Sequence, residues 1–463
     1  MAEKLSRMSD VTPITTSTTM PSPISAITVA PGTSASATNN WTQTDSPHRD
    51  SYRTTKHYDN SGFLRSSPSN KRIDVAASFS LETRVQFVEG LFLPDNPTLR
   101  DIYVPFDRCI AMVDTAVNAY HGEKIAGYFA EHGISFQALP CSAQEHDKKL
   151  SSISTILDYL SRPDIDVGRN EPVLVVGGGV LHDIAGLACA LLHRRTPYVM
   201  VATSLITAID AGPSPRTGVN ANTLKNSFGA FHPPLATFVD RTMFQTLDIA
   251  YLRHGTAEIV KMGAVDDITI FELLERHGDA MIREHFATLG HGELASATEE
   301  LLFRTVHSYL KHEGTNIFEV YEDRPHAYGH TWSNMFELVA DLRHGHAVSV
   351  EMCFSARVAA LMGWINEEQV DRIVELCRAL GLAVYHPVLD DIDLLTRAQE
   401  SVRRRRGGKG LYAPLPRNEI GECDYVEHVP SDLLKDAIVL HRDVCLKYPG
   451  AGAGSQMYTS DPC

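Results

Sequence analysis

Between residues 76 and 240 the chain alternates two patterns. RCIAMVDTAV (108–117) and EPVLVVGGGV (171–180) are near-continuous apolar runs and read as strands, and SFQALP (135–140) reads as a third. AYHGEKIAGYFAEHG (119–133) and HDKKLSSISTILDYL (146–160) read as helices, the first stopping on Gly133. Strands that are apolar throughout are buried on both faces, so this half predicts a mostly parallel, Rossmann-like sheet covered by helices. Beyond about residue 245 the strand pattern ends. EEQVDRIVELCRALG (367–381) places Val370, Ile373, Val374, Cys377 and Leu380 on one helical face and stops at Gly381. The pattern predicts an α/β N-terminal domain followed by an all-α C-terminal domain.

Composition changes the picture at the two ends. Residues 1–50 contain 23 Ser, Thr and Pro and few large apolar side chains. Such a stretch cannot bury enough surface to offset its ordering entropy. The expected organisation is a disordered tail over 1–75, an α/β domain over 76–245, a helical domain over 246–449 and a flexible tail over 450–463. The 463 residues suit two domains. A net charge of −15 opposes nucleic acid and anionic membranes, so an anionic ligand must be met by a local cluster of cations. The eight cysteines are scattered with no CxxC pair, and no apolar segment follows MAEKLSRMSD. Both features point to a reduced, cytoplasmic protein without a membrane span.

Three stretches carry candidate chemistry. GGGVLHDIAG (177–186) follows a strand and opens a helix, where glycines admit a pyrophosphate to the helix N-terminus, although His182 stands where a third motif glycine belongs. The same glycines also suit a plain tight turn. Asp114, ending the first strand, is placed either for a ribose hydroxyl or for a turn. Glu145 and Lys148 read as an i, i+3 pair. In the second stretch, GTAEIVKMG sets Glu258 and Lys261 on one helical face, and His326, His330, His344 and His346 fall within 21 residues. One carboxylate and two imidazoles suffice to bind zinc with an open position. The third, DAGPSPRTGVNANTLKNSFGAFHPP (210–234), is a polar loop with Asp210, Arg216, Asn220, Lys225 and Asn226, whose cations suit a phosphate.

In this order the three resemble the sugar-phosphate cyclase superfamily, whose best-known member is 3-dehydroquinate synthase. GGGVLHDIAG resembles GGGVxxDxxG, which places Gly177, Gly178, Gly179 and Asp183 at a nicotinamide cofactor. VATSL resembles PTTLL and adds Thr203 and Ser204, while Glu145 and Lys148 resemble an ExxK contact on the adenosine side. GTAEIVKMG resembles AEVIKYG, GHTWSNMFE resembles GHTFGHAIE, and RHGHAV resembles HGEAV. The resemblance thus implies that Glu258, His330 and His344 bind zinc or cobalt, with His326 a rival for His330. Lys261, Lys225, Asn226 and Arg216 are implied to hold phosphate and sugar hydroxyls, with Asp210 beside cofactor and metal. His346 stands at the HGE glutamate and joins the catalytic set. Asn334, at the second histidine of GHTFGHAIE, and Arg324 are implied to face substrate. Arg194 aligns with an arginine that reaches a neighbouring subunit's phosphate, which implies a homodimer. The run RRRRGGKG (403–410) stands at a basic substrate-side loop, or is a solvated charge run.

IDAGPSPRTGVN differs from the VDSSVGGKTGVN of dehydroquinate synthase, with Arg216 in place of a lysine. Together with RPHAYGHTWS and HGHAV it looks like the 2-epi-5-epi-valiolone synthase branch, which cyclises sedoheptulose 7-phosphate. A neighbouring branch makes demethyl-4-deoxygadusol from the same sugar and has SVSIK where this chain has GPSPR. The implied chemistry is transient oxidation of the carbon 5 hydroxyl by NAD, loss of phosphate from carbon 7, return of the hydride, and an intramolecular aldol step. The metal acts as the Lewis acid. The competing readings are dehydroquinate synthase, a polyol dehydrogenase of the same fold, and an inactive scaffold.

Overall fold

The computed structural model of the chain describes residues 56–67, 72–221, 224–340, 342–406, 408 and 410–455. It opens with an antiparallel pair, β1 (Lys56–Ser67) and β2 (Arg72–Leu81). β1 and the first four residues of β2 fall inside the stretch 1–75 expected to be a tail. Leu64 pairs with Val75 and Phe63 with Ala76 across the ladder. Residues 1–55 lie outside the described residues.

The α/β half runs β3 (Val85–Phe87), α1 (Pro97–Tyr103), β4 (Arg108–Asp114), α2 (Thr115–Glu131), β5 (Ser135–Cys141), α3 (Leu150–Leu160), β6 (Val173–Gly177), α4 (Gly179–Leu191) and β7 (Tyr198–Ala202). A hairpin of β8 (Arg216–Ala221) and β9 (Leu224–Phe231) precedes β10 (Ala236–Val239). The sheet has the order β3-β10-β7-β6-β4-β5 and is parallel at every pairing. Val113, Val176 and Val201 face Leu99, Ile125 and Phe129 on one side. Their neighbours Met112, Val175 and Met200 face Ile153, Ile156 and Leu181 on the other. Both sets are buried, which is why the strands read as unbroken apolar runs rather than alternating ones. The stretch 210–234, expected as a loop, is largely the β8–β9 hairpin; its Gly-rich, polar strands carry no apolar alternation to announce them.

The second half comprises α5 (Ile249–Val265), α6 (Ile268–Arg283), α7 (Glu293–Glu313), α8 (Ser333–Ala340), α9 (His344–Leu361), α10 (Glu367–Ala379) and α11 (Ile392–Arg405). An antiparallel hairpin, β11 (Ala413–Arg417) with β12 (Glu419–Val426), interrupts the helices before α12 (Ser431–Cys445). α10 buries Val370, Ile373, Val374 and Cys377 and ends before Gly381 at φ 75°. α9 is buried along every residue from Gly345 to Ala359 and forms the axis of this half. At Gly345 it touches α5 so closely that a Cβ there would lie 2.5 Å from His254 Cα. Residues 450–455, expected to be a flexible tail, pack on the body: the Gly452 carbonyl accepts from Val384 N–H at 2.8 Å, and Ser455 N–H donates to Gly381 at 2.8 Å. Residues 456–463 lie outside the described residues. Seven described cysteines are unpaired, and no described helix is long and apolar enough to cross a membrane.

Candidate active site

β4 leads through α2 to β5 on one side, whereas β6 leads through α4 to β7 on the other, so the connections part between the adjacent strands β4 and β6. Parallel sheets open a ligand crevice at the carboxyl ends of such a pair. Asp114 ends β4 and Gly177 ends β6; a Cβ on Gly177 would lie 3.3 Å from that of Asp114. Gly178 precedes α4, which no side chain caps, so its first amides are left for a ligand. Thr203 N–H donates to the Gly177 carbonyl at 3.1 Å. Ser204 Oγ lies 2.7 Å from Thr207 Oγ1, beside Gly178. Asp114 itself caps α2, accepting from Ala116 N–H at 2.8 Å, so its turn role is occupied. His182, in place of the third glycine, packs in the core with Nε2 3.0 Å from Tyr198 Oη.

The crevice wall is a polar network. Lys148 is buried and donates to Asp183 Oδ2 and to Asn226 Oδ1, both at 2.6 Å. Asn220 Nδ2 donates to Glu145 Oε1 at 2.9 Å, and Asn220 Oδ1 accepts from Asn226 N–H at 2.8 Å. Glu145 and Lys148 are therefore not an ion pair on a helix face. Glu145 lies in a short 3-10 turn and Lys148 follows it, ahead of α3. Asn226, expected among the substrate contacts, is bonded to Lys148 and Asn220 in this network.

Glu258, His330 and His344 bring one ligand atom each within 4.8 Å of one another. Glu258 is buried on α5, His344 opens α9, and His330 lies in the turn before α8. Glu258 Oε1 is 3.2 Å from His344 Nε2 and 3.6 Å from His330 Nε2. Each imidazole is oriented through its other nitrogen: His330 Nδ1 lies 3.0 Å from the Tyr328 carbonyl and His344 Nδ1 lies 3.1 Å from Glu337 Oε2. Both Nε2 atoms are thereby aimed at Glu258. Burial opposes the Glu258 charge, yet Lys261, His330 and His344 hold its carboxyl well below the usual range. Burial likewise opposes a charge on His344, but Glu258 and Glu337 push it up to about 10, whereas burial pushes His330 down to about 4. Both Glu258 oxygens are buried without a hydrogen bond of good geometry. Lys261 meets Oε2, and the remaining Oε1 together with two imidazole nitrogens is a donor set that suits zinc or cobalt.

A line of charges leads away from this cluster. Lys261 contacts Glu258 and lies 3.7 Å from Asp210, on a π-helical turn, and Asp210 is 3.7 Å from Arg216. The Arg216 guanidinium donates to Glu319 Oε1 at 2.8 Å, Tyr309 Oη at 2.7 Å and Ser214 Oγ at 3.0 Å. Arg324 pairs with the same Glu319. Lys225 donates to Glu337 Oε1 at 2.8 Å, so Glu337 ties the loop cation to His344.

Other expected residues lie elsewhere. His326, the expected rival of His330, has its Nε2 2.8 Å from Glu313 Oε1 and lies outside the candidate group of Glu258, His330 and His344. His346, expected in the catalytic set, faces the protein interior: its Nδ1 accepts from Ala383 N–H at 3.0 Å and its Nε2 lies 3.1 Å from the Ser455 carbonyl. Residues two apart on a helix point to different faces, so His344 and His346 cannot share a site. Asn334 Nδ2 turns back onto the His330 carbonyl at 2.6 Å. Arg194 is exposed after the C-terminal end of α4, remote from the glycines at its start. In the basic run, Arg403, Arg404 and Arg405 are exposed, while Arg406 is held by the Tyr412 carbonyl at 2.9 Å. Glu337, Glu319, Tyr309 and Glu351 were not expected. Glu337 closes the quoted GHTWSNMFE, the only one of the four with a sequence signal.

The comparisons agree with this geometry. The 3-dehydroquinate synthase N-terminal family model matches residues 138–254, and the 3-dehydroquinate synthase C-terminal model matches residues 255–400. A demethyl-4-deoxygadusol synthase of Trichormus variabilis is 38% identical over 82% of this chain and 92% of its own. A 2-epi-5-epi-valiolone synthase of Actinoplanes sp. is 38% identical over 72% and 84%. The solved 2-epi-5-epi-valiolone synthase of Streptomyces hygroscopicus subsp. jinggangensis, with NAD+ and Zn2+ bound, has a TM-score of 0.74 and 33% identity, covering 80% of this chain and 99% of that one. With both family domains matched in sequence and the same two-part architecture, the chain belongs to the 3-dehydroquinate synthase-like sugar-phosphate cyclases, a family of lyases.

Proposed function

We propose that this enzyme cyclises sedoheptulose 7-phosphate to 2-epi-5-epi-valiolone with release of phosphate, using NAD and a zinc or cobalt ion. The observation that carries the reading is the convergence of Glu258, His330 and His344, flanked by Lys261 and the Lys225–Glu337 pair. Those three residues would hold the metal, and the β4–β6 crevice, with Gly177, Gly178, Gly179, Asp183, Thr203 and Ser204, would hold NAD. When bound, the metal supplies Lewis acidity toward a substrate oxygen and NAD supplies a recoverable hydride acceptor.

The chain's own residues do the rest. Glu337 fixes the His344 ring through Nδ1. Lys261 sets a buried ammonium beside Glu258, with Asp210 the next acceptor for a proton. Arg216 donates from each guanidinium nitrogen to Ser214, Glu319 or Tyr309, and its two remaining N–H groups would meet a phosphate or hydroxyl oxygen. Holding both ends of the sugar in one site gives the aldol step its intramolecular advantage. Arg194, which is exposed, would meet a second copy in the proposed homodimer.

GPSPR with Arg216 supports the valiolone branch. The 38% identity to a demethyl-4-deoxygadusol synthase favours a second reading, in which the same sugar gives that product. The test supplies sedoheptulose 7-phosphate with NAD and zinc, and follows phosphate together with NADH absorbance. Phosphate should appear without lasting NADH. Preference for the carboxylate-bearing heptulosonate phosphate, or NADH without phosphate, would overturn the proposal.

A further inference from the structure

We infer that Glu351 is the positioning residue that fixes the spacing of the two metal-binding histidines, an inference that rests on the metal reading above. Glu351 lies seven residues after His344 on α9 and is 1% exposed, in a helix buried from Gly345 to Ala359. A carboxylate there costs several kcal/mol unless its oxygens are satisfied. Thr331 N–H donates to Oε1 at 2.7 Å, Trp332 N–H donates to Oε2 at 2.7 Å, and Ser333 N–H also donates to Oε2. These amides form the N-terminus of α8, whose orphan donors and dipole a carboxylate complements.

Thr331 directly follows His330, so the first amide gripped belongs to the neighbour of a ligand. The other side of His330 is pinned to the same helix. Tyr328 Oη donates to the Met352 carbonyl at 2.7 Å. Gly329, at φ 77°, lies so close that a Cβ would sit 2.8 Å from Val348 Cγ1. Residues 328–333 are thus laid along α9, which presents His344 at its own start. One helix therefore sets both imidazoles, whose ring centroids are 5.4 Å apart. Glu351 touches neither ring; it acts through the backbone of the turn.

The experiment measures zinc affinity of the full chain by competition with a chromophoric chelator, without substrate. Glu351→Gln keeps the shape but turns an amide donor toward backbone donors. Zinc binding should weaken about 10- to 100-fold, as for lost outer-shell partners of metal ligands. NAD affinity should stay within about twofold, since the cofactor crevice is on the other half. Glu351→Asp, which keeps the charge but draws it back, should lose less. A lower melting temperature with unchanged zinc affinity would mark a merely structural role and overturn the inference. Should Glu351→Gln not fold, Glu351→Asp decides: a loss of about threefold or more supports the inference, and a smaller one overturns it. Wild type that binds zinc but releases no phosphate from sedoheptulose 7-phosphate would sink the proposed function and leave this inference standing.

Discussion

Lys148→Met should destabilise the α/β half, and the loss should grow with pH. The ammonium lies 2.6 Å from Asp183 Oδ2, with side-chain exposures of 7% and 22%. At an effective dielectric of 20 that separation gives roughly 6 kcal/mol of attraction, much of which offsets desolvation. Removing one partner of a buried pair costs about 3–5 kcal/mol, and the partly exposed Asp183 argues for the lower end. Burial pushes the Asp183 carboxyl up from its ordinary value, and Lys148 pulls it back. Without the ammonium the carboxyl rises further. A carboxyl raised on folding keeps its contribution below the unfolded value of about 3.9 and loses it as pH climbs through the folded value. The penalty of Lys148→Met should therefore be larger at pH 8 than at pH 5. Urea midpoints would be compared at both pH values for wild type, Lys148→Met, Asp183→Asn and the double mutant. The double mutant should recover about 1–3 kcal/mol relative to the sum of the singles. Additive losses independent of pH would refute the argument.

Arg216→Lys should lower kcat/KM for sedoheptulose 7-phosphate by roughly 1.5–3 kcal/mol, about 10- to 150-fold, because a lysine cannot keep the fork to Glu319 and Tyr309; steady-state kinetics check it. His330→Ala should abolish bound metal while His326→Ala keeps it, as read by elemental analysis; the reverse would place the ligand in the wrong turn. Burial pushes His441 down to about 4, with its Nε2 2.8 Å from the Val384 carbonyl. The unfolded chain binds this proton first, so the contribution is complete above pH 6.5 and is lost as pH falls toward 4, at about 1.4 kcal/mol per pH unit. His441→Gln should flatten the acid limb of the stability curve by that slope.

The sheet was legible because strands buried on both faces leave continuous apolar runs, and α10 because its apolar period survives intact. The candidate metal trio was reached through family motifs, since Glu258, His330 and His344 meet where Gly345 lets α9 approach α5. Period alone gave no sign of β8 and β9, where glycine and polar residues replace alternation, nor of β11, whose two prolines mask a strand. Lys148 looked like a surface partner of Glu145 because nothing in the local sequence states that Asp183 and Asn226 enclose it. Glu337 and Glu351 act on groups brought near by helix packing, a relation that spacing along one helix does not encode. Residues 450–455, expected to belong to a tail, pack on the body because glycine allows a close approach to Ala383, where a Cβ on Gly454 would sit 2.4 Å from a backbone nitrogen.

The identity of the product tests the central claim most directly. Incubation of the metal- and NAD-loaded enzyme with sedoheptulose 7-phosphate, followed by NMR of the dephosphorylated product, should show 2-epi-5-epi-valiolone in amounts equal to the phosphate released. Demethyl-4-deoxygadusol in its place, or recovery of uncyclised sugar, would contradict the account.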